Sequence, residues 1–274
     1  MNDKTETTLD QMIKAIEDFP YLRQCFSDYL KWLFEECDEN RRRYDAIYVK
    51  IATGVNNLDR LENIFQKFGS ILNINESDFC QAFRFDFDRN KNDILKLNDL
   101  LVEPWVALAL YNFGFQEIRK VQTSTVKLSD FTAKWNKTKF AIEVKNARNS
   151  DDEEFYKRRT DSLYNQEEGF ISHLRARNGK VLYQQEEEII PVRLERRLQV
   201  EKERQKIEQQ LINTKEEHNC QATILVIYLD MIVLLDEFPS IIVSNLEKVK
   251  AKYSVSDYFA CCIHENLFCS PQLP

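Results

Sequence analysis

The chain is poor in the residues that punctuate structure: five glycines and six prolines among 274 residues. That scarcity excludes long glycine- or proline-rich linkers. It also leaves no glycine-rich phosphate loop, and with it no nucleotide hydrolysis of that kind. The three histidines (His173, His218, His264) stand apart, and none sits in a His/Cys cluster with metal-ligand spacing. Seven cysteines are scattered without a single Cys-x-x-Cys pair, so reduced thiols in a cytoplasmic protein are expected, not a disulfide framework. The longest apolar run, residues 222–235, is too short to cross a membrane and is interrupted by Asp230. The first six residues lack the apolar core of a signal peptide, and no membrane partner is expected.

What is present divides in two. Residues 1–92 read as a helical region: Leu9, Met12, Ile13 and Ile16, then Leu22, Phe26, Tyr29, Leu30 and Leu33, then Leu58, Leu61, Ile64, Phe65 and Phe68 recur at helical spacing. Arg41, Arg42 and Arg43 form a basic triplet, most simply a solvated helix face. Asp86, Asp88, Asn90 and Asn92 imitate a calcium loop, but Lys91 stands where glycine is needed and Leu97 where a bidentate glutamate is needed. From residue 93 a helix is expected to Phe113, broken or restarted at Pro104 and closed by Gly114. A strand over 115–121 follows. The acidic stretch 149–190 reads as an insertion, partly helical. A long charged helix is then expected over Val192–Glu217. Residues 222–229, almost wholly apolar and rich in β-branched side chains, read as a central strand buried on both faces with parallel neighbours. Residues 232–235 are candidates to extend the sheet, a helix is expected from Pro239 to about Tyr253, and a last strand from Tyr258 to His264.

Everything else is arranged around residues 129–146. Asn136-Lys137 suits a two-residue hairpin turn. With that turn Trp135 pairs with Thr138, and counting outward sets Asp130 opposite Glu143. Alternation places Phe131, Ala133, Trp135, Phe140, Ile142 and Val144 on one face and Asp130, Glu143 and Lys145 on the other. Carboxylates directly across a strand pair repel unless a positive charge lies between them; a divalent cation with Lys145 beside it supplies that charge. From Arg119 to Arg148 eight basic residues stand against these two acids, a net +6 within a chain of net −7. A basic rim around an acidic pocket suits a phosphate-bearing substrate.

An aspartate on the second strand, Glu143-Val144-Lys145 on the third, and the order helix, three strands, helix, strand resemble the PD-(D/E)xK nuclease superfamily over roughly residues 93–230. Glu143 is the only acidic residue followed two positions later by lysine. Ser129 replaces the proline that usually precedes the aspartate. The resemblance implies an α/β domain at 93–274 with a restriction-endonuclease-like mixed sheet flanked by helices. It implies Mg²⁺ or Mn²⁺ held by Asp130, Glu143 and the Val144 carbonyl, with Glu103 as an auxiliary ligand, and Asp130, Glu143 and Lys145 as the catalytic trio. Lys134, Lys139 and Arg148 are expected to contact nucleic acid, and Gln209 (or Gln210) of the long helix to approach the site. The implied activity is metal-dependent hydrolysis of DNA by an endonuclease, in a defence or mobile-element setting, with a helicase or specificity subunit or a second copy as partner. The competing reading is a catalytically inactive chain of the same fold serving as an interaction subunit.

Overall fold

The computed structural model describes residues 11, 13–37, 55–83, 94–121, 126–147, 194–195, 197–229, 238–263 and 267–270. The expectations for Arg41–Arg43, the calcium-loop lookalike, the 149–190 insertion, residues 232–235, His173, His264 and Arg148 fall outside them. By compactness the chain divides into Met1–Leu108 and Ala109–Pro274. This boundary lies inside a helix, whereas the sequence pattern suggests 92/93.

In the first unit a helical stretch over residues 13–17 precedes α1 (Pro20–Glu35), α2 (Val55–Leu72) and α3 (Glu76–Phe83), and α4 (Ile94–Phe113) begins there. Proline opens α1 because its missing N–H costs nothing in a helix's first turn. Phe26, Phe65, Phe79 and Phe83 meet at ring-centroid distances of 5.0–6.1 Å and are fully buried. Glu62 of α2 is buried, yet both its oxygens work: Oε1 accepts from Tyr21 N–H (3.1 Å) and Oε2 from Leu22 N–H (3.0 Å), satisfying two orphan donors of α1. Cys25 and Cys80 are joined by a disulfide across 55 residues. This overturns the expectation of thiols alone: helix packing brings together two cysteines that sequence spacing could not pair.

The second unit is built on one six-stranded sheet in the order β1 (Gln116–Lys120), β2 (Phe131–Trp135), β3 (Thr138–Asn146), β4 (Ala222–Tyr228), β5 (Tyr258–Ile263), β6 (Leu267–Cys269). Pairings β1–β2, β2–β3 and β5–β6 are antiparallel, while β3–β4 and β4–β5 are parallel. This is an α/β unit with a mixed sheet. β4 is buried along its whole length with parallel partners on both sides, as its composition required. β6 was not anticipated.

Helices α5 (Glu201–Glu217) and α6 (Phe238–Lys252) complete the unit, α5 over β3 and β4 and α6 over β5 and β6. The parallel register aligns Glu143 with Leu225 and Lys145 with Ile227. Leu225 and Ile227 belong to the apolar cluster that holds Ile207 and Leu211 of α5 and Leu246 of α6. The face carrying Glu143 and Lys145 is therefore covered by helices. The opposite face carries an aromatic row, with Phe140 against both Phe115 (5.8 Å) and Tyr258 (5.6 Å).

Three further expectations are corrected. α4 runs unbroken through Pro104 and ends at Gly114, whose φ of +107° closes a Schellman-type cap with Phe115 N–H on the Leu110 carbonyl. The long charged helix breaks at Val200, whose backbone is extended (ψ 109°). The break lets Leu198 on one side and Ile207 on the other both reach the core, and Arg197 spans it to Glu203. The hairpin was expected to bury one face, but β3 is buried on both from Phe140 to Val144, because α5 covers the second.

Candidate functional site

The hairpin turn is as the sequence set it. Asn136 and Lys137 take φ of 46° and 71°, the pair of positive values a type I′ turn demands, and Trp135 pairs with Thr138. The ladder runs from there to Phe131↔Ile142. Asp130 lies one step beyond, in the position facing Glu143, but the bonding departs from the ideal ladder. Its N–H donates to the Ile142 carbonyl (3.1 Å), and its own carbonyl accepts from Val121 N–H (3.0 Å). Its side chain is fixed as well: Oδ2 accepts from Val144 N–H at 2.8 Å. The aspartate is thus clamped onto the backbone of the Glu143-Val144-Lys145 segment.

Glu143 is fully buried, its side chain about 1% exposed. Its Oε1 accepts from Lys145 Nζ, and its Oε2 is buried with no hydrogen-bond partner. Burial first, and the charge of Asp130 second, push its carboxyl up to about 8 against the pull of Lys145. A buried carboxylate oxygen without a donor is costly, and the cost falls when a cation or proton reaches it.

Two other orphaned atoms belong to the same junction of β2, β3 and α5. Ser129 Oγ is buried without a partner, while its N–H donates to Thr214 Oγ1 at 2.7 Å. Gln210 donates through Nε2 to the Leu128 carbonyl (3.0 Å), leaving Oε1 buried and unpartnered. Of four such side-chain atoms among the described residues, only His218 Nε2 lies elsewhere, at the end of α5. Lys206 of α5 is exposed, and burial of part of its side chain, then Lys145 and Lys127, hold its ammonium below the usual lysine range.

The structure thus brings Asp130, Glu143, Val144 and Lys145 together. Gln209 is not among them: it is exposed and bonds Asn213 within its own helix (2.7 Å). Gln210 faces the sheet instead, because it shares the stripe of Ile207, Leu211 and Thr214. The spacing i, i+3, i+4, i+7 already distinguished it in the sequence. Glu103 lies on α4 in the first compact unit. Lys134 is tied to Glu117 at 2.7 Å, and Lys139 donates to the His218 carbonyl at 2.6 Å. Lys206 and Thr214 were missed as site neighbours, since nothing local marks a helix residue that returns to a strand some eighty positions earlier.

The residues present fit a hard divalent cation. The donors are oxygens only, two carboxylates and a backbone carbonyl, and one carboxylate oxygen lacks any other partner. Among the described residues no group of three or more His, Cys, Asp and Glu could hold a metal. Two carboxylates and a carbonyl suit magnesium, which keeps most of its waters and takes one or two protein carboxylates, better than zinc or calcium. No family model, curated protein or solved structure matches the chain.

Proposed function

We propose that the sheet unit is a metal-dependent phosphodiesterase of the PD-(D/E)xK kind, with a restriction-endonuclease-like sheet, acting on nucleic acid and most simply on DNA. One observation carries the reading: Glu143, wholly buried with an unpartnered oxygen, faces Asp130 across the hairpin and has Lys145 bonded to its other oxygen. Asp130, Glu143 and the Val144 carbonyl would hold Mg²⁺ or Mn²⁺, which when bound supplies charge for the scissile phosphate and acidifies a water. Asp130, clamped through Oδ2, presents its carboxylate without further ordering. Lys145, freed from Glu143 once that carboxylate has a stronger partner, orients the attacking water or stabilises the developing negative charge. α5 packs over β3 on the Glu143 side, and burial there strengthens each of these interactions.

The test is plasmid cleavage with Mg²⁺, Mn²⁺ or EDTA by the wild type and by Asp130→Ala, Glu143→Ala and Lys145→Ala. Metal-dependent cleavage that each substitution removes is the expected result, and equal nicking by all four proteins sinks the assignment. A second reading has its own support: the Lys145–Glu143 contact already fills the site, as in a chain that keeps the fold as an interaction subunit. That reading expects neither cleavage nor Mn²⁺ binding. A defence or mobile-element role and a helicase, specificity or homodimeric partner complete the proposal; the cytoplasmic setting expected from the sequence loses the support of reduced thiols, since Cys25 and Cys80 are joined. Among the described residues no helix is long and apolar enough to cross a membrane.

A further inference from the structure

α5 packs over β3, and Lys206 stands on it one turn before Gln210, whose side chain reaches the Leu128 carbonyl beside Lys127. Lys145 bonds Glu143. Lys206 lies within the electrostatic reach of Lys145, Lys127 and Glu143. Its one acidic neighbour at helical spacing is Glu203, three residues back, and Arg197 holds that carboxylate through both oxygens at 3.1 Å each. Among the described residues, neither Lys206 nor Lys127 makes a salt bridge, and both are exposed. Lys127 is held in place through its carbonyl, which accepts from Asn213 of α5 at 3.1 Å. Like charges set side by side without a counterion raise the energy of the folded chain, and an anion between them lowers it.

We infer that Lys206 and Lys127, with Lys145, form a clamp for the backbone phosphates of the nucleic acid at this site, Lys206 from α5 and Lys127 from the segment before β2. The inference rests on the phosphodiesterase reading and adds two substrate-contacting residues to it. It also reassigns the nucleic-acid contacts. Lys134 and Lys139, the residues expected from the sequence, are bonded to Glu117 and the His218 carbonyl, whereas Lys206 and Lys127 are not. Because both are exposed, replacing them leaves the core intact.

The experiment is fluorescence anisotropy of a short fluorescein-labelled duplex DNA in Ca²⁺, over a series of salt concentrations. The proteins compared are the wild type, Lys206→Ala, Lys127→Ala, Lys206→Arg and Asp130→Asn. Each lysine that no longer neutralises a phosphate reduces the slope of log affinity against log salt by about one. The expected result is a several-fold loss of affinity and that smaller slope for each alanine variant, with Lys206→Arg restoring both. In parallel Mg²⁺ cleavage, the alanine variants raise KM more than they lower kcat, while Asp130→Asn removes cleavage. Wild-type affinity and slope in both alanine variants overturn the clamp, and loss of cleavage in Asp130→Asn then leaves the metal reading standing. Normal cleavage by Asp130→Asn sinks the metal reading by itself. A wild type that fails to bind the duplex refutes the clamp outright.

Discussion

Replacing Glu143 by glutamine is expected to stabilise the metal-free protein, and its size follows from the site. The carboxyl titrates near 8 when folded and at the ordinary 4.5 when unfolded. Between those values the folded chain holds a proton that the unfolded chain has released. Unfolding free energy therefore falls by about 1.4 kcal/mol per pH unit as pH rises. The stabilising contribution is complete below the unfolded value and is lost as pH climbs through the folded one. Near pH 7 the accumulated penalty is roughly 3 kcal/mol, of which Glu143→Gln is relieved, a rise in melting temperature of roughly 6–12 °C for a unit of this size. Mn²⁺ acts in the opposite sense: it stabilises the wild type, more strongly at higher pH, and leaves Glu143→Gln unmoved. The assay is urea unfolding followed by circular dichroism across this pH range, with EDTA or Mn²⁺. A flat wild-type profile, together with destabilisation by Glu143→Gln, would instead show that the contact with Lys145 is a stabilising ion pair and that Glu143 carries no proton when folded.

Three further outcomes follow from the fold. Lys137 sits at φ 71°, so Lys137→Gly is expected to stabilise the hairpin by roughly 1 kcal/mol in urea unfolding; a loss would contradict the turn geometry. Removing the Cys25–Cys80 bridge as a double alanine variant frees a loop of 55 residues and should cost about 4 kcal/mol, read as a lower urea midpoint in the transition of the helical unit. Glu62→Ala strands the N–H groups of Tyr21 and Leu22 and should cost about 1–3 kcal/mol in the same transition. Burial raises the Glu62 carboxyl, so its contribution is largest below the unfolded value and shrinks as pH rises through the folded one; Glu62→Gln should flatten that dependence.

The legible parts of the chain were those fixed by short-range geometry. Asn136-Lys137 set the turn, the turn set the register, and the register set Asp130 against Glu143. The apolar run of β4 announced a strand with neighbours on both sides because no solvated face could tolerate it. What escaped was long-range. The Cys25–Cys80 pairing depends on how α1 meets α3, and β6 is only three residues long, too short for a periodicity. The break at Val200 reflects a demand from the core on Leu198 and Ile207, which a uniformly charged helical sequence conceals. Gln210 is legible in the sequence: counting from Ile207 and Leu211 selects it over Gln209, which falls on the solvent face of α5.

Everything in the proposed function depends on Asp130 and Glu143 holding a divalent cation between them. Anomalous scattering from crystals soaked in Mn²⁺ addresses it with no assumption about substrate. The expected result is a peak ligated by Asp130, by Glu143 Oε2 and by the Val144 carbonyl, with Lys145 turned away from Glu143. Absence of any peak there, with the Lys145–Glu143 contact unchanged at saturating Mn²⁺, would contradict it.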